Sequence, residues 1–475
     1  MKNVLSACFC LLFALAACDD GGTSNNNTNN VNNLNNVNNL NNVNTCTPAC
    51  EDWQSCVNTV CEPLEGMCAD VSDCPSDAYT CTAEHQCVLT CTPECGFYED
   101  CADVEGTATC VQAQWLGWVH RPITIVDPIV NGTSLNMPID GISWAFVSST
   151  HGLITSYGRD INDANIAYVW HLDLETWEHT KKVLSGDLPP AAENFCGGED
   201  WCQFIGYDPE NQKILITGPR AASVMQIDPT TYQTTLLTTS GTRPNDSWIS
   251  YTHVFDFAAR KLYIFGHLGP AGFSSTLFAL DLDTGVWTST ALTVPQVYDN
   301  CLALDPDTGL LVSFGGETTE DGGETSMPTA AYHVIDPVNG DVISGTMPEA
   351  IGARQAMSCS WGGIIEGFFV HGGAVVNDYY NEALNVYYND LWHYYAATDT
   401  WTPVLAGTVP GTLEAPDEYG DQSFVGDPAI PNFGMNRGYM QPLPQFCGVA
   451  VIGAVPIFTH EQFYTIGLDP LCMGK

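Results

Sequence analysis

Three residue sets in this chain have types and spacings that could support chemistry: 21 cysteines, 11 histidines and 55 carboxylates. The histidines show no HExxH or related metal spacing. The chain has no GxSxG nucleophile turn and no phosphate-binding glycine loop. His171, His333 and His393 sit in strand-like patterns, where packing or surface exposure explains them better than metal ligation. Asp281, Asp283, Asp305 and Asp307 imitate part of a calcium loop, but the full ligand spacing is missing. Asp-Pro and Asp-x-x-Gly are standard turn chemistry, and the sequence reads as turns there. A carboxylate pair for glycoside chemistry could be assembled from distant segments. Nothing in the spacing selects one, so no catalytic residue, metal site or cofactor is assigned.

Twelve cysteines lie between Cys46 and Cys110 in three groups of four, within a segment holding 13 acids and no Lys or Arg. The first group opens CTPAC and the third CTPEC, which marks an internal repeat. Zinc clusters usually carry Cys-x2-Cys pairs with histidine partners; here there is no such pair, and His85 is the one histidine. Six disulfides are the better reading, replacing the core that so short a loop-rich segment could not build. Spacing leaves their connectivity open. The segment is similar in style to bacterial EGF-like and other short cysteine-rich repeats. Further on, Cys196, Cys202, Cys301, Cys359, Cys447 and Cys472 are expected to form three bridges, leaving no thiol nucleophile.

The N-terminus has one cation, Lys2, then an apolar run from Val4 to Ala17 that is too short to span a bilayer. It is laid out as a signal peptide, residues 1–17. The ending Leu15-Ala16-Ala17-Cys18 resembles the lipobox of bacterial lipoproteins. That resemblance implies export and a lipid on Cys18, so that the partner at this end is a membrane. The outer membrane or cell surface is favoured over the inner membrane. Residues 18–45 then form a tether: positions 25–44 contain 14 Asn and no charge. One apolar residue in three buries too little to offset chain entropy, so this segment reads as a flexible spacer.

Removing the signal peptide leaves 55 acids against 12 basic residues, a net −43. Such a field repels phosphates, which sets nucleic acid aside as a partner. The acids are spread along the chain, so solubility explains them better than clustered cation binding.

From residue 116 to 475 two strand patterns alternate. One is an apolar run closed by glycine: Ile214–Gly218, Leu262–Gly266, Leu310–Gly316 and Phe368–Gly373. The other runs through an Asp and a short turn to an aromatic, as in YVWHLDLETW (Tyr168–Trp177) and LFALDLDTGVW (Leu277–Trp287). Asp173, Asp228, Asp281 and Asp336 are 55, 53 and 55 residues apart, and Tyr395 takes the next place. A period near 50 residues with four strands per unit is the signature of a propeller array. With the pairs Gly315-Gly316 and Gly372-Gly373, the segment resembles kelch-repeat proteins, including the propeller of galactose oxidase. The resemblance implies an all-β fold with a kelch-type β-propeller of six blades, seven being the alternative. Ile125–Gly132 reads as an N-terminal strand that closure would bring beside the C-terminal ones. Galactose oxidase chemistry would need a copper site of two His and two Tyr, one Tyr crosslinked to Cys; no stretch matches those motifs.

Length gathers on the face formed by the second-to-third strand connections. Val375–Asp390 carries Asp378, Tyr379, Tyr380, Glu382, Tyr387 and Tyr388, and tyrosines beside carboxylates suit sugar stacking and hydrogen bonding. Ala406–Gln445 is a long insertion with Asp417, Glu418, Tyr419, Asp421 and Arg437. The expectation is a monomeric binding protein that holds a glycan or an extracellular protein. The alternatives are an envelope enzyme acting on polysaccharide and a structural or adhesive envelope component.

Overall fold

The computed structural model describes residues 49–467 with interruptions; residues 126–142, 191–202, 376–385 and 406–438 are among those outside the description. Among the described residues the regular elements are β-strands, apart from one 3-10 turn at Val71–Asp73. The fold is all-β, with a cysteine-rich, disulfide-bonded region at its start. Among those residues no helix is long and apolar enough to cross a membrane. The chain divides into two compact units, Met1–Thr92 with Cys101–Thr109, and Pro93–Asp100 with Cys110–Lys475.

The cysteine-rich region is built from small hairpins. Gln54–Val57 pairs with Val60–Pro63, Tyr79–Cys81 with Cys87–Leu89, and Glu99–Val104 with Thr107–Gln112. Among the described residues the bridges include Cys50–Cys61, Cys68–Cys81, Cys74–Cys87, Cys91–Cys101 and Cys95–Cys110. In the second and third groups of four, the first half-cystine therefore joins the third and the second joins the fourth, and in the first group the second likewise joins the fourth. Cys68 and Ala78 are the buried side chains around the middle group. With so little apolar burial, the covalent bridges hold this region together.

Among the described residues of the larger unit, six sheets are each built on four antiparallel strands, and three of them gain a short fifth strand in parallel. The first four-strand set is Ala145–Val147, Gly152–Arg159, Ala167–Asp173 and Glu178–Val183. The second is Phe204–Asp208, Lys213–Thr217, Ser223–Ile227 and Gln233–Thr238. The third is Thr252–Asp256, Lys261–Phe265, Thr276–Asp281 and Val286–Ala291. The fourth is Cys301–Leu304, Leu311–Phe314, Ala331–Ile335 and Val342–Thr346. The fifth is Ser358–Trp361, Phe368–His371, Leu391–Tyr395 and Thr400–Leu405. The sixth takes Tyr439–Leu443, Gly448–Ala454 and Glu461–Gly467 from the C-terminal part, and its fourth strand is Val119–His120. The strand that meets the C-terminal ones is thus Val119–His120. Thr124–Ile125 instead adds in parallel to the outer strand of the first sheet.

Burial explains the strand sequences. Second strands such as Leu311–Phe314 and Phe368–His371 are buried at every position, so they carry continuous apolar and aromatic runs. Fourth strands such as Val286–Ala291 bury one side chain and expose the rest, so they are rich in Thr and Ser. Consecutive sheets pack face to face. Tyr263, Phe265 and Leu277 of the third meet Leu302, Leu311 and Ile335 of the fourth. Leu153 and Leu172 of the first sheet, with Trp144 just before its first strand, share a cluster with Leu443 of the sixth. Each fully buried Leu, Ile or Phe contributes about 1.5–3 kcal/mol.

Candidate functional site

Two ends of the larger unit carry different chemistry, and the backbone decides which. At one end, first strands turn into second strands and third into fourth. The turns share one device: an Asp carboxylate accepts the N–H groups two and three residues on. Asp228 takes Thr230 and Thr231, Asp281 takes Asp283 and Thr284, and Asp305 takes Asp307 and Thr308. Four residues after the Asp, the chain enters the left-handed region at Trp177, Tyr232, Gly285, Gly309 and Gly340. There its N–H donates back to the Asp carbonyl, as Gly285 does to Asp281 at 2.9 Å. The hydrogen bonds hold Asp228, which also pairs with Lys213, at about 2, and Asp281 well below the usual carboxylate range. These carboxylates are committed to their turns.

The aromatic that follows each Asp in sequence divides into two roles. Trp177 and Tyr232, four residues on, sit half-buried at the left-handed corner. Trp287, six residues after Asp281, is buried in the core, and Trp401 packs on Phe314, Tyr332 and Tyr394.

At this same end the six first strands line one cavity of about 290 Å³. Its wall includes Phe146, Tyr207, Phe255, Phe257 and Trp361, all half-buried, with Ser360 and Gln441 as polar groups. Phe255 and Phe257 stack at 5.4 Å, and Gly206 makes room for the Phe255 ring, whose Cδ2 would lie 2.7 Å from a Cβ there. His253 also lines the cavity; its Nε2 lies 3.0 Å from the Ser143 hydroxyl, which accepts the Ile205 N–H at 2.7 Å. Burial pushes His253 down to about 3, so its ring is neutral. Among the described residues no carboxylate lines the cavity, and Cys359, which does, is bridged to Cys301. A signal for two of these aromatics lies in the turns: Tyr207 and Phe255 each immediately precede a turn Asp, as the lining residue Leu304 does.

The other end holds the glycine pairs, both in positive φ: Gly315 at 55° and Gly316 at 100°, Gly372 at 67° and Gly373 at 93°. The tight backbone there admits Arg354, which is 2 % exposed. Arg354 Nη1 and Nη2 clasp both carboxylate oxygens of buried Asp390, Nε donates to Ile351 O at 2.6 Å, and Nη1 donates to Gly372 O at 3.0 Å. Its guanidinium lies 3.6 Å from the centre of the Tyr388 ring. Trp392 Nε1 donates to Asp390 at 2.8 Å. Tyr388 is therefore engaged in an internal stack with this ion pair. For Tyr387 only the backbone is described, in a two-residue pairing with Ala374. Asp378, Tyr379, Tyr380 and Glu382 lie outside the described residues, as do Asp417, Glu418, Tyr419, Asp421 and Arg437. So do Cys18, Cys196, Cys202, Cys447 and Cys472. Cys301 and Cys359 form a bridge between the first strands of the fourth and fifth sheets.

His171, His333 and His393 lie on third strands. His333 Nδ1 lies 2.8 Å from the Ser344 hydroxyl, and His393 stacks on Phe369 with Nε2 2.8 Å from Glu366 O. Burial lowers all three, His171 to about 4. Among the described residues the groupings with metal-ligand proximity are Cys68, Cys74, Cys87 and Cys91, Cys95, Cys101, whose sulfurs are all in disulfides. No protein-family model and no curated protein matches the sequence.

Proposed function

We propose that this chain is an exported, lipid-anchored binding protein whose larger unit is a six-bladed propeller of the kelch type. In this reading Cys18 carries the lipid, the Asn-rich segment and the disulfide-bonded region form the spacer, and the propeller meets a glycan or protein partner. Support for the propeller comes from six four-stranded meanders whose first strands share one cavity. The contribution of Val119–His120 to the sixth sheet also supports it, because an N-terminal strand beside C-terminal ones removes an open edge.

The observation that carries binding over catalysis is the wall of that cavity. Its described residues offer aromatic rings and a few hydrogen-bonding groups, with a neutral histidine and a disulfide sulfur and without a carboxylate among them. Such a wall suits holding and orienting a ligand, and its described residues include no charged acid–base pair. The test uses purified chain without residues 1–17 on glycan and secreted-protein arrays, with metal content measured in parallel. Saturable binding without turnover is the expected result; bound copper with oxidase activity would overturn the reading. For the anchor, Cys18→Ala should move the protein from the membrane to the soluble exported fraction, and unchanged membrane recovery would remove the lipid from the account.

A further inference from the structure

We infer that the aromatic cavity at the turn end of the larger unit takes a small organic cation, an alkylammonium ion such as a quaternary amine. The inference rests on the binding reading above and names the ligand class for one site within it. Three observations carry it. First, half-buried rings from four different sheets, Phe146, Tyr207, Phe255 with Phe257, and Trp361, line a single cavity of about 290 Å³. That volume is at the small end of ligand pockets, which run from about 300 Å³ upward, so the occupant is a small molecule. Phe255 and Phe257 stack on one another, and with Phe146, Tyr207 and Trp361 they put aromatic rings on several sides of the cavity, a lining that attracts an alkylammonium wherever the ion meets a ring face.

Second, the turns that follow the lining strands carry acids, which sit next to lining residues in sequence though not in the wall itself. Asp256 lies between lining residues Phe255 and Phe257, and Asp305 lies between lining residues Leu304 and Pro306. Both are buried, and both bond their own turn N–H groups: Asp256 takes Ala259, and Asp305 takes Asp307 and Thr308. The cations in these turns are paired, Arg260 with Asp208 and Asp283, and Lys261, opposite Asp256 across the strand pair, with Asp281; these two cations and three carboxylates remain net negative. Third, the whole chain carries a formal net charge of −42, which draws cations toward any cleft of low dielectric. A neutral sugar would gain from the rings but nothing from this charge; an anion would be repelled.

The experiment titrates the purified full chain with choline, its neutral carbon isostere 3,3-dimethylbutanol, and methyl glucoside, read by calorimetry. Choline should bind saturably, and the isostere at least tenfold more weakly. Phe255→Leu keeps an apolar side chain of similar bulk but removes a ring, and should weaken choline about three- to tenfold. The urea midpoint, read in parallel, shows whether the variant remains folded; Tyr207→Leu serves as the second variant if it does not. Equal binding of choline and its isostere, or preference for the glucoside, overturns the cation assignment. In that case ligand capture on the arrays would still stand, so the two readings fail separately. An absence of choline binding at millimolar concentration also overturns this inference. A lysine-containing peptide that binds while choline does not would assign the surface to a basic polypeptide instead and refute the small-molecule occupant.

Discussion

Removing the Cys301–Cys359 bridge should cost the larger unit about 4 kcal/mol of unfolding free energy. The two half-cystines sit on the first strands of the fourth and fifth sheets, 58 residues apart, so the closed loop contains the fourth sheet whole. Closing a loop of that length removes about 14 cal/mol/K from the denatured chain, or about 4 kcal/mol at 25 °C. Each half-cystine is 6 % exposed, so replacement by Ala also loses apolar burial worth roughly 1 kcal/mol per site. The double variant C301A/C359A should therefore fall about 4–6 kcal/mol below the parent. Urea unfolding at neutral pH, followed by tryptophan fluorescence, measures it. The denaturant slope should rise as well, because the uncrosslinked denatured chain exposes more surface. A loss under about 1 kcal/mol with an unchanged slope would refute the loop-entropy reasoning. It would mean that the sheet contacts around the fourth sheet survive in the denatured chain.

Three further outcomes follow from the described contacts. Arg354→Met strands the Asp390 carboxylate in a site 4 % exposed and should cost about 3–5 kcal/mol in urea unfolding. Adding Asp390→Leu should recover part of that loss, and no recovery would place the cost in packing alone. Gly316→Ala meets φ +100° and the Tyr298 carbonyl 2.6 Å from the new Cβ, whereas Gly309→Ala at φ +74° meets nothing within 4 Å. The first should lower stability clearly more than the second, whose cost is the left-handed backbone alone, about 1–2 kcal/mol. Equal melting temperatures for the two would contradict the role of the glycine pair. Burial holds His253 at about 3 and both His371 and His171 at about 4, below the ordinary 6.5. The unfolded chain thus binds these protons first, so stability is complete above pH 6.5 and declines as pH falls toward 4. Asp228, held at about 2, adds its own loss only below the ordinary carboxylate value of 3.8. His253→Gln should flatten the urea midpoint between pH 6.5 and 4.5, and an unchanged slope would remove His253 from the account.

The sequence by itself determined what short-range physics controls. Strand character followed from continuous apolar runs such as Leu311–Phe314, because a strand buried on both faces has no polar alternation. Asp-led turns at Asp228, Asp281 and Asp305 were legible because the carboxylate reaches N–H groups only two or three residues away. The glycine pairs stood out in the sequence as a repeat motif, and the structure places both pairs at positive φ. Disulfide content was legible from cysteine density, but connectivity was not, since a group of four cysteines admits several pairings until the hairpins bring specific sulfurs together. Tertiary structure alone decided the rest. Val119–His120 is too short to carry a periodic signal, and its place in the sixth sheet depends on a partner more than three hundred residues away. Tyr232 and Trp287 look equivalent after their turn Asp, yet the two-residue difference puts one at a left-handed corner and the other in the core. Tyr388 reads as an exposed stacking residue, whereas Arg354, 34 positions earlier, takes its face. The cavity gathers one or a few residues from each of six strands, roughly fifty positions apart. No local pattern encodes such a site, because its wall exists only where separate sheets converge.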